Sequence, residues 1–107
     1  MITEVKPAAA LAMQNNGAVI VDVREPWEIA VASVSNTLNI PMNTIPSRLD
    51  ELLELAKLKS LLILCHHGRR SLNVARFLEQ HNIGTIYNIT GGCDAWSLDV
   101  DIQLPRY

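Results

Sequence analysis

The segment Leu61-Leu62-Ile63-Leu64-Cys65-His66-His67-Gly68-Arg69-Arg70-Ser71 opens with four consecutive aliphatic residues and closes with a glycine, two arginines and a serine. A short continuous apolar run suits a strand buried on both faces, as in a parallel sheet. Leu72-Asn73-Val74-Ala75-Arg76-Phe77-Leu78 then carries apolar residues at helical spacing. The pattern predicts a strand over 61–64, a short loop beginning at Cys65, and a helix over 71–81. Such a loop turns backbone N–H groups inward in front of a helix N-terminus. A thiolate is stabilised there, and so is an anion brought to it. Cys65 is therefore read as a nucleophile that handles an anionic group.

The flanking sequence places this unit in a larger alternation. Residues 2–5 form a candidate edge strand, and Pro7 opens a helix that Asn15-Asn16-Gly17 stop. Ala18-Val19-Ile20-Val21 is a second continuous apolar strand, ending at Asp22-Val23-Arg24-Glu25-Pro26, with a short helix from Pro26 to about Val31. Residues 38–40 make a brief strand closed by Pro41. Ile45, Leu49, Leu52, Leu53 and Leu55-Ala56 mark an amphipathic helix over 47–57. Residues 85–89 form the last strand. Gly91-Gly92 turn the chain into a short helix carrying Ala95 and Trp96, and 101–107 reads as an extended tail. Strands alternating with helices at short spacing predict an α/β fold with a mostly parallel sheet covered on both faces. Ligands of such sheets sit beyond the C-terminal strand ends, where Asp22, Arg24 and Cys65 fall.

With 107 residues and 49% hydrophobic content, the chain suits one domain over 1–107 with a real apolar core. A net charge of −2 and a pI near 5.8 do not favour nucleic acid as a partner. Positive charge is local: Arg69 and Arg70, with His66 and His67, line the cysteine loop. Two cysteines, Cys65 and Cys93, are too few for a disulfide framework and fit a reducing cytoplasm. No apolar run approaches the roughly 20 residues of a membrane span. The apolar stretch over 7–13 is short, and Glu4 offsets Lys6 before it, so a signal peptide is not expected.

Taken together, these residues resemble the rhodanese-like sulfurtransferase family. The matching pieces are Val21-Asp22-Val23-Arg24-Glu25-Pro26 with Glu28, and Leu38-Asn39-Ile40-Pro41. The cysteine loop with Gly68, Arg70 and Ser71 follows, and then Tyr87-Asn88-Ile89 with Gly91-Gly92 and Ala95-Trp96. The resemblance spans roughly residues 2 to 107. It implies a central five-stranded parallel sheet and a catalytic Cys65 that cycles between thiolate and persulfide. Sulfane sulfur would pass from a donor, thiosulfate or a persulfide, to a thiophilic acceptor such as cyanide, a thiol or a protein. The covalent persulfide replaces any cofactor. One segment departs from the pattern: Ala32-Ser33-Val34-Ser35-Asn36-Thr37 stands where members carry Gly-His-hydrophobic-Pro-Gly-Ala. The same resemblance leaves open a regulatory or sulfur-relay module with weak activity on small donors.

Other chemistries fit less well. Cysteine phosphatases, and arsenate reductases of similar design, place arginine at the sixth position after the cysteine. Here Arg70 is the fifth and Ser71 the sixth, so the loop is one residue tighter than a phosphate cradle. Cys65, His66, His67 and Cys93 have no standard metal-ligand spacing, and no metal is expected. Gly68 supplies a backbone conformation that a Cβ resists. The candidate substrate-binding residues are His66, His67, Gly68, Arg69, Arg70 and Ser71. Arg70 is read as a loop brace or anion contact, Arg69 as a steering charge, and the histidines as loop shape or pocket rim. Asp22 and Arg24 are either pocket wall or structural, with Arg24 pairing Glu28. Cys93 is read as packed and inert, Trp27 and Trp96 as core or tail-packing residues.

Overall fold

A computed structural model describes residues 1–107. Its strands are β1 (Ile2–Val5), β2 (Val19–Asp22), β3 (Leu38–Asn39), β4 (Leu61–Leu64) and β5 (Ile86–Ile89). Its helices are α1 (Pro7–Asn15), α2 (Pro26–Val31), α3 (Leu49–Leu58), α4 (Arg69–Gln80) and α5 (Gly92–Asp99), with 3-10 turns at Met42–Thr44 and Pro46–Arg48. The strands form one sheet in the order β1-β5-β4-β2-β3, and every pairing is parallel. The five-stranded parallel α/β architecture is as expected, with β1 at one edge and the most apolar strand, β4, at the centre.

The two-residue period of β4 explains the two-sided core. Leu61 and Ile63 face one apolar cluster with Leu52 of α3 and Val74, Ala75 and Leu78 of α4. Leu62 and Leu64 face the other, with Ala10 of α1 and Cys93 and Trp96 of α5. All four β4 residues are buried, so the run has no polar alternation to show. Cys65 continues the alternation onto the α4 side.

Helix boundaries depart from the periodic pattern at two places. α4 begins at Arg69 rather than 71, because Gly68 caps it in a left-handed conformation (φ 97°). Apolar spacing marks a helix's buried face but not its first turn. α3 begins at Leu49 rather than 47: Arg48, at φ −115° and ψ 18°, separates it from the preceding 3-10 turn. Asn82 takes φ 65° just past α4, as a helix stop should. The tail is not simply extended. A turn over 101–104, closed by Leu104 N–H to the Asp101 carbonyl, returns the chain toward β2 and α2. Ser97 Oγ–H holds the Leu104 carbonyl at 2.7 Å.

Segment 32–37 is fixed by its own contacts. The Ala32 carbonyl accepts Arg24 Nη2–H at 2.7 Å, and Gln14 Nε2 donates to the carbonyls of Ser35 and Asn36. Asn36 itself takes φ 61°, so an asparagine makes the left-handed turn there.

Candidate active site

Cys65 directly follows β4, one residue past the sheet, and is 1% exposed. Its Sγ accepts the Gly68 N–H at 3.0 Å and lies 3.3 Å from Ser71 Oγ. A thiol donates to that hydroxyl; toward a thiolate the hydroxyl turns its own proton. Gly68 reaches this position only at positive φ, and a Cβ there would lie 3.1 Å from the Gly91 nitrogen.

Three of the loop carbonyls are held by hydrogen-bond donors. The first-turn amides of α5 take two of them: Cys93 N–H bonds the Cys65 carbonyl at 2.7 Å, and Asp94 N–H bonds the His66 carbonyl at 3.0 Å. Gly92 lets α5 come this close, since a Cβ on it would stand 2.6 Å from the His66 oxygen. The Gly68 carbonyl accepts Leu72 N–H and Asn88 Nδ2–H, both at 3.3 Å. In a trans peptide the N–H points opposite to the C=O. The amides of His66, His67 and Arg69 therefore point away from these donors. With those of Arg70 and Ser71 in the open first turn of α4, they find no acceptor within the chain. A thiolate, a persulfide or a small anion fits such a set of N–H groups.

Beside the loop lies a network of charges. Arg70 makes a bidentate pair with Glu28, at 2.6 and 2.7 Å. Glu28 also accepts its own helix's Glu25 N–H at 3.1 Å and the Tyr107 hydroxyl at 2.8 Å. The Arg70 hydrogen bonds hold the Glu28 carboxyl at about 2, well below the usual range, against the opposing effect of burial. Arg70 is correspondingly pushed up, chiefly by Glu28. Its guanidinium face toward Glu28 is thus already occupied, and it braces the loop by linking α4 to α2. Arg69, by contrast, is exposed.

Asp22 and Arg24 form a second, fully buried pair, with Arg24 Nε and Nη2 on the two carboxylate oxygens. The expected ion pair of Arg24 with Glu28 is not made. The β2 ladder continues past Asp22, with Val23 N–H on the Leu64 carbonyl, so residues 22 and 24 share one face. Glu28 is left to Arg70, and Arg24 reaches only the Glu28 carbonyl oxygen, at 3.5 Å. Arg24 also donates to the Tyr107 hydroxyl at 2.8 Å. Both side chains are 0% exposed, so neither forms a wall of an open pocket.

His66 is stacked against Tyr107, with ring centroids 3.9 Å apart and planes 7° off parallel. Burial, and then His67, lower its basicity, and its Nε2 is buried without a partner. His67 is exposed, with its ring 3.9 Å from that of His66. Cys93 lies in the opposite core from Cys65, and burial pushes its thiol up. Trp96 is core, whereas Trp27 is 63% exposed and meets Tyr107 edge-on. No three His, Cys, Asp or Glu side chains gather as a metal cluster. The largest surface cleft, about 610 Å³, lies at the far end of the sheet among Asp50, Glu54, Lys57, His81 and Asn82.

The sequence pattern characteristic of the rhodanese-like domain matches residues 6–99. The chain belongs to the rhodanese-like domain family. It is 31% identical over 93 residues to the thiosulfate sulfurtransferase GlpE of Stutzerimonas stutzeri, covering 86% of this chain and 82% of that one. It is 37% identical over 89 residues to the rhodanese-like/PpiC domain-containing protein 12 of Arabidopsis thaliana, a chloroplastic protein. That match covers 82% of this chain but only 30% of the plant protein. Among solved structures, a rhodanese-like domain protein from Staphylococcus aureus superimposes with a TM-score of 0.75 at 31% identity, over 98% of each chain.

Within this rhodanese-like domain, Tyr107 and Asn88 are contributors that residue patterns did not single out for the site. Asn88 carries no catalytic signature; its role is to hold the Gly68 carbonyl from the neighbouring strand. Tyr107 lies 83 positions from Arg24 and 79 from Glu28 in sequence, separations that no local periodicity encodes. No helix of the chain is long and apolar enough to cross a membrane.

Proposed function

We propose that this rhodanese-like domain is a sulfurtransferase of the thiosulfate type, with Cys65 as the carrier of sulfane sulfur. The observation that carries the reading is Cys65 Sγ accepting the Gly68 N–H at 3.0 Å, inside a loop whose other amides have no acceptor in the chain. The name of the Stutzerimonas relative supports the choice of thiosulfate as donor.

In the first half-reaction the Cys65 thiolate attacks the outer sulfur of thiosulfate. The S–S bond of the donor breaks, sulfite leaves with the electron pair, and Cys65 becomes a persulfide anion. In the second, cyanide or a thiolate attacks the outer persulfide sulfur and carries it away, returning the Cys65 thiolate. Both states of Cys65 carry a single negative charge on sulfur, and the extra amides of the loop are there for the outer sulfur of the persulfide. Gly68 and Ser71 contact the sulfur, His66 and His67 form the rim, Arg70 holds the loop, and the exposed Arg69 attracts the anionic donor. No cofactor is needed, because the transferred atom stays covalently bound. A reducing cytosol suits a chain with two free thiols.

The steady-state production of thiocyanate from thiosulfate and cyanide tests this reading. Activity lost in Cys65→Ser and kept in Cys93→Ser supports it. Inactivity of the intact chain, or loss in Cys93→Ser alone, sinks it. One observation favours a second reading, a relay module served by a protein donor or acceptor: Cys65 is 1% exposed, and none of the surface clefts opens at its loop. Poor turnover of thiosulfate with efficient loading from a protein persulfide would select it. Steady hydrolysis of an aryl phosphate would instead point to the phosphatase class, which the tighter loop disfavours.

A further inference from the structure

Tyr107 contacts one end of the Cys65 loop directly and reaches the other through Glu28. Its ring stacks on His66, the residue directly after the nucleophile. Its hydroxyl donates to Glu28 Oε2 at 2.8 Å, the same oxygen that takes Arg70 Nη2–H at 2.7 Å. That hydroxyl also accepts Arg24 Nη1–H at 2.8 Å, so it is oriented by the buried Asp22–Arg24 pair. The approach of Tyr107 is itself fixed: Arg106 pairs with Asp94 in the first turn of α5, at 2.9 and 3.2 Å. Asp94 N–H in turn holds the His66 carbonyl.

We propose that Tyr107 is a positioning residue for the sulfur-carrying loop, acting through His66 at one end and through Glu28 and Arg70 at the other. The inference rests on the proposed function of Cys65. Two arms follow from the geometry. The ring arm keeps His66 in place and with it the start of the loop in which Cys65 is buried. The hydroxyl arm completes the ligation of Glu28, whose two oxygens then hold Arg70 in one orientation. A phenol does both at once; phenylalanine retains only the first. Burial keeps this phenol protonated, its pKa pushed up to about 12, so it remains a donor to Glu28 throughout the physiological range.

The test compares the full chain with Tyr107→Phe and Tyr107→Ala. Alkylation by iodoacetamide under native conditions, mapped to each cysteine by mass spectrometry, reads access to Cys65 independently of sulfur transfer. Turnover of thiosulfate with cyanide gives kcat and KM, and thermal denaturation reads folding. Tyr107→Ala is expected to raise Cys65 alkylation and to lower kcat, each about tenfold, with KM for thiosulfate changed less than about threefold. Tyr107→Phe is expected to alkylate like the parent, because its ring still stacks, but to lose about threefold in kcat. Cys93, in the opposite core, should stay unreactive in all three. A fall in melting temperature with unchanged alkylation and kcat in both variants would overturn the proposal. Equal gains in alkylation at Cys65 and Cys93 would do so too, as would Phe behaving like Ala in both readouts. If the parent takes no sulfur from thiosulfate, the functional reading fails on its own, and the alkylation contrast still decides for or against the placement of Tyr107.

Discussion

Glu28→Gln removes the charge at the centre of the network while keeping nearly the same shape. In the parent the carboxyl sits at about 2 instead of the ordinary 4.5, held there by two hydrogen bonds from Arg70. Linkage converts that difference into about 3 kcal/mol of folding stability at neutral pH. The Glu28 side chain is 4% exposed but that of Arg70 is 33%, so water partly screens the pair and about 2–3 kcal/mol is the expected loss. The sign of the pH dependence follows from a carboxyl whose folded value lies below its unfolded one. Its contribution is complete above about pH 4.5 and disappears as pH falls toward about 2. Urea unfolding followed by circular dichroism, run on parent and variant from neutral pH downward, measures the gap directly. Other carboxylates titrate in both proteins and cancel in the difference. The gap should be flat from about pH 7 to about pH 5 and then close on further acidification. A gap of the same size near pH 2.5, or one below about 0.5 kcal/mol at neutral pH, would refute the claim that Arg70 and Glu28 are coupled in this way.

Three further outcomes follow. Arg70→Ala should depress sulfur transfer more than Arg69→Ala, with little dependence on salt, whereas the Arg69→Ala effect should fade as screening over about 8 Å removes steering; initial rates at low and high salt check this, and the reverse ranking would exchange the two roles. Gly92→Ala should abolish transfer or folding, since φ 61° and the His66 carbonyl at 2.6 Å leave no room for a Cβ; a soluble, active variant with parental circular dichroism would contradict the α5-to-loop contact. Asp22→Asn should cost about 3–5 kcal/mol by leaving Arg24 charged and buried without its partner, measured by urea unfolding, and a near-neutral effect would mean that Tyr107 and the carbonyls of Ala32 and Glu28 suffice.

The parts of the fold that could be read in advance are those written in contiguous residues. Four aliphatic residues, a cysteine and a glycine before a helical repeat specify strand, loop and helix locally, and the alternation of such units implies parallel pairing. Pairing order does not follow in the same way, because β1 lies beside β5 and no residue of Ile2–Val5 names its partner. The partner of Arg24 is not legible from spacing alone, since Glu28 and Asp22 are both near it in sequence. The chain is still extended at Val23, which makes Asp22 the neighbour on the same face. Arg70 could be singled out beside the cysteine, yet its engagement with Glu28 depends on α2 and α4 meeting across forty residues of sequence. Tyr107 had no signal beyond being aromatic. Its place comes from the turn over 101–104 and the Arg106–Asp94 pair, which exist only in the folded chain.

The most direct test of the central claim is the intact mass of the protein after incubation with thiosulfate. A Cys65 that carries sulfane sulfur predicts a gain of one sulfur atom, about 32 Da, which cyanide then removes. The gain should be absent in Cys65→Ser and present in Cys93→Ser. An unchanged mass in the parent, or a gain that survives Cys65→Ser and is lost in Cys93→Ser, would contradict the account.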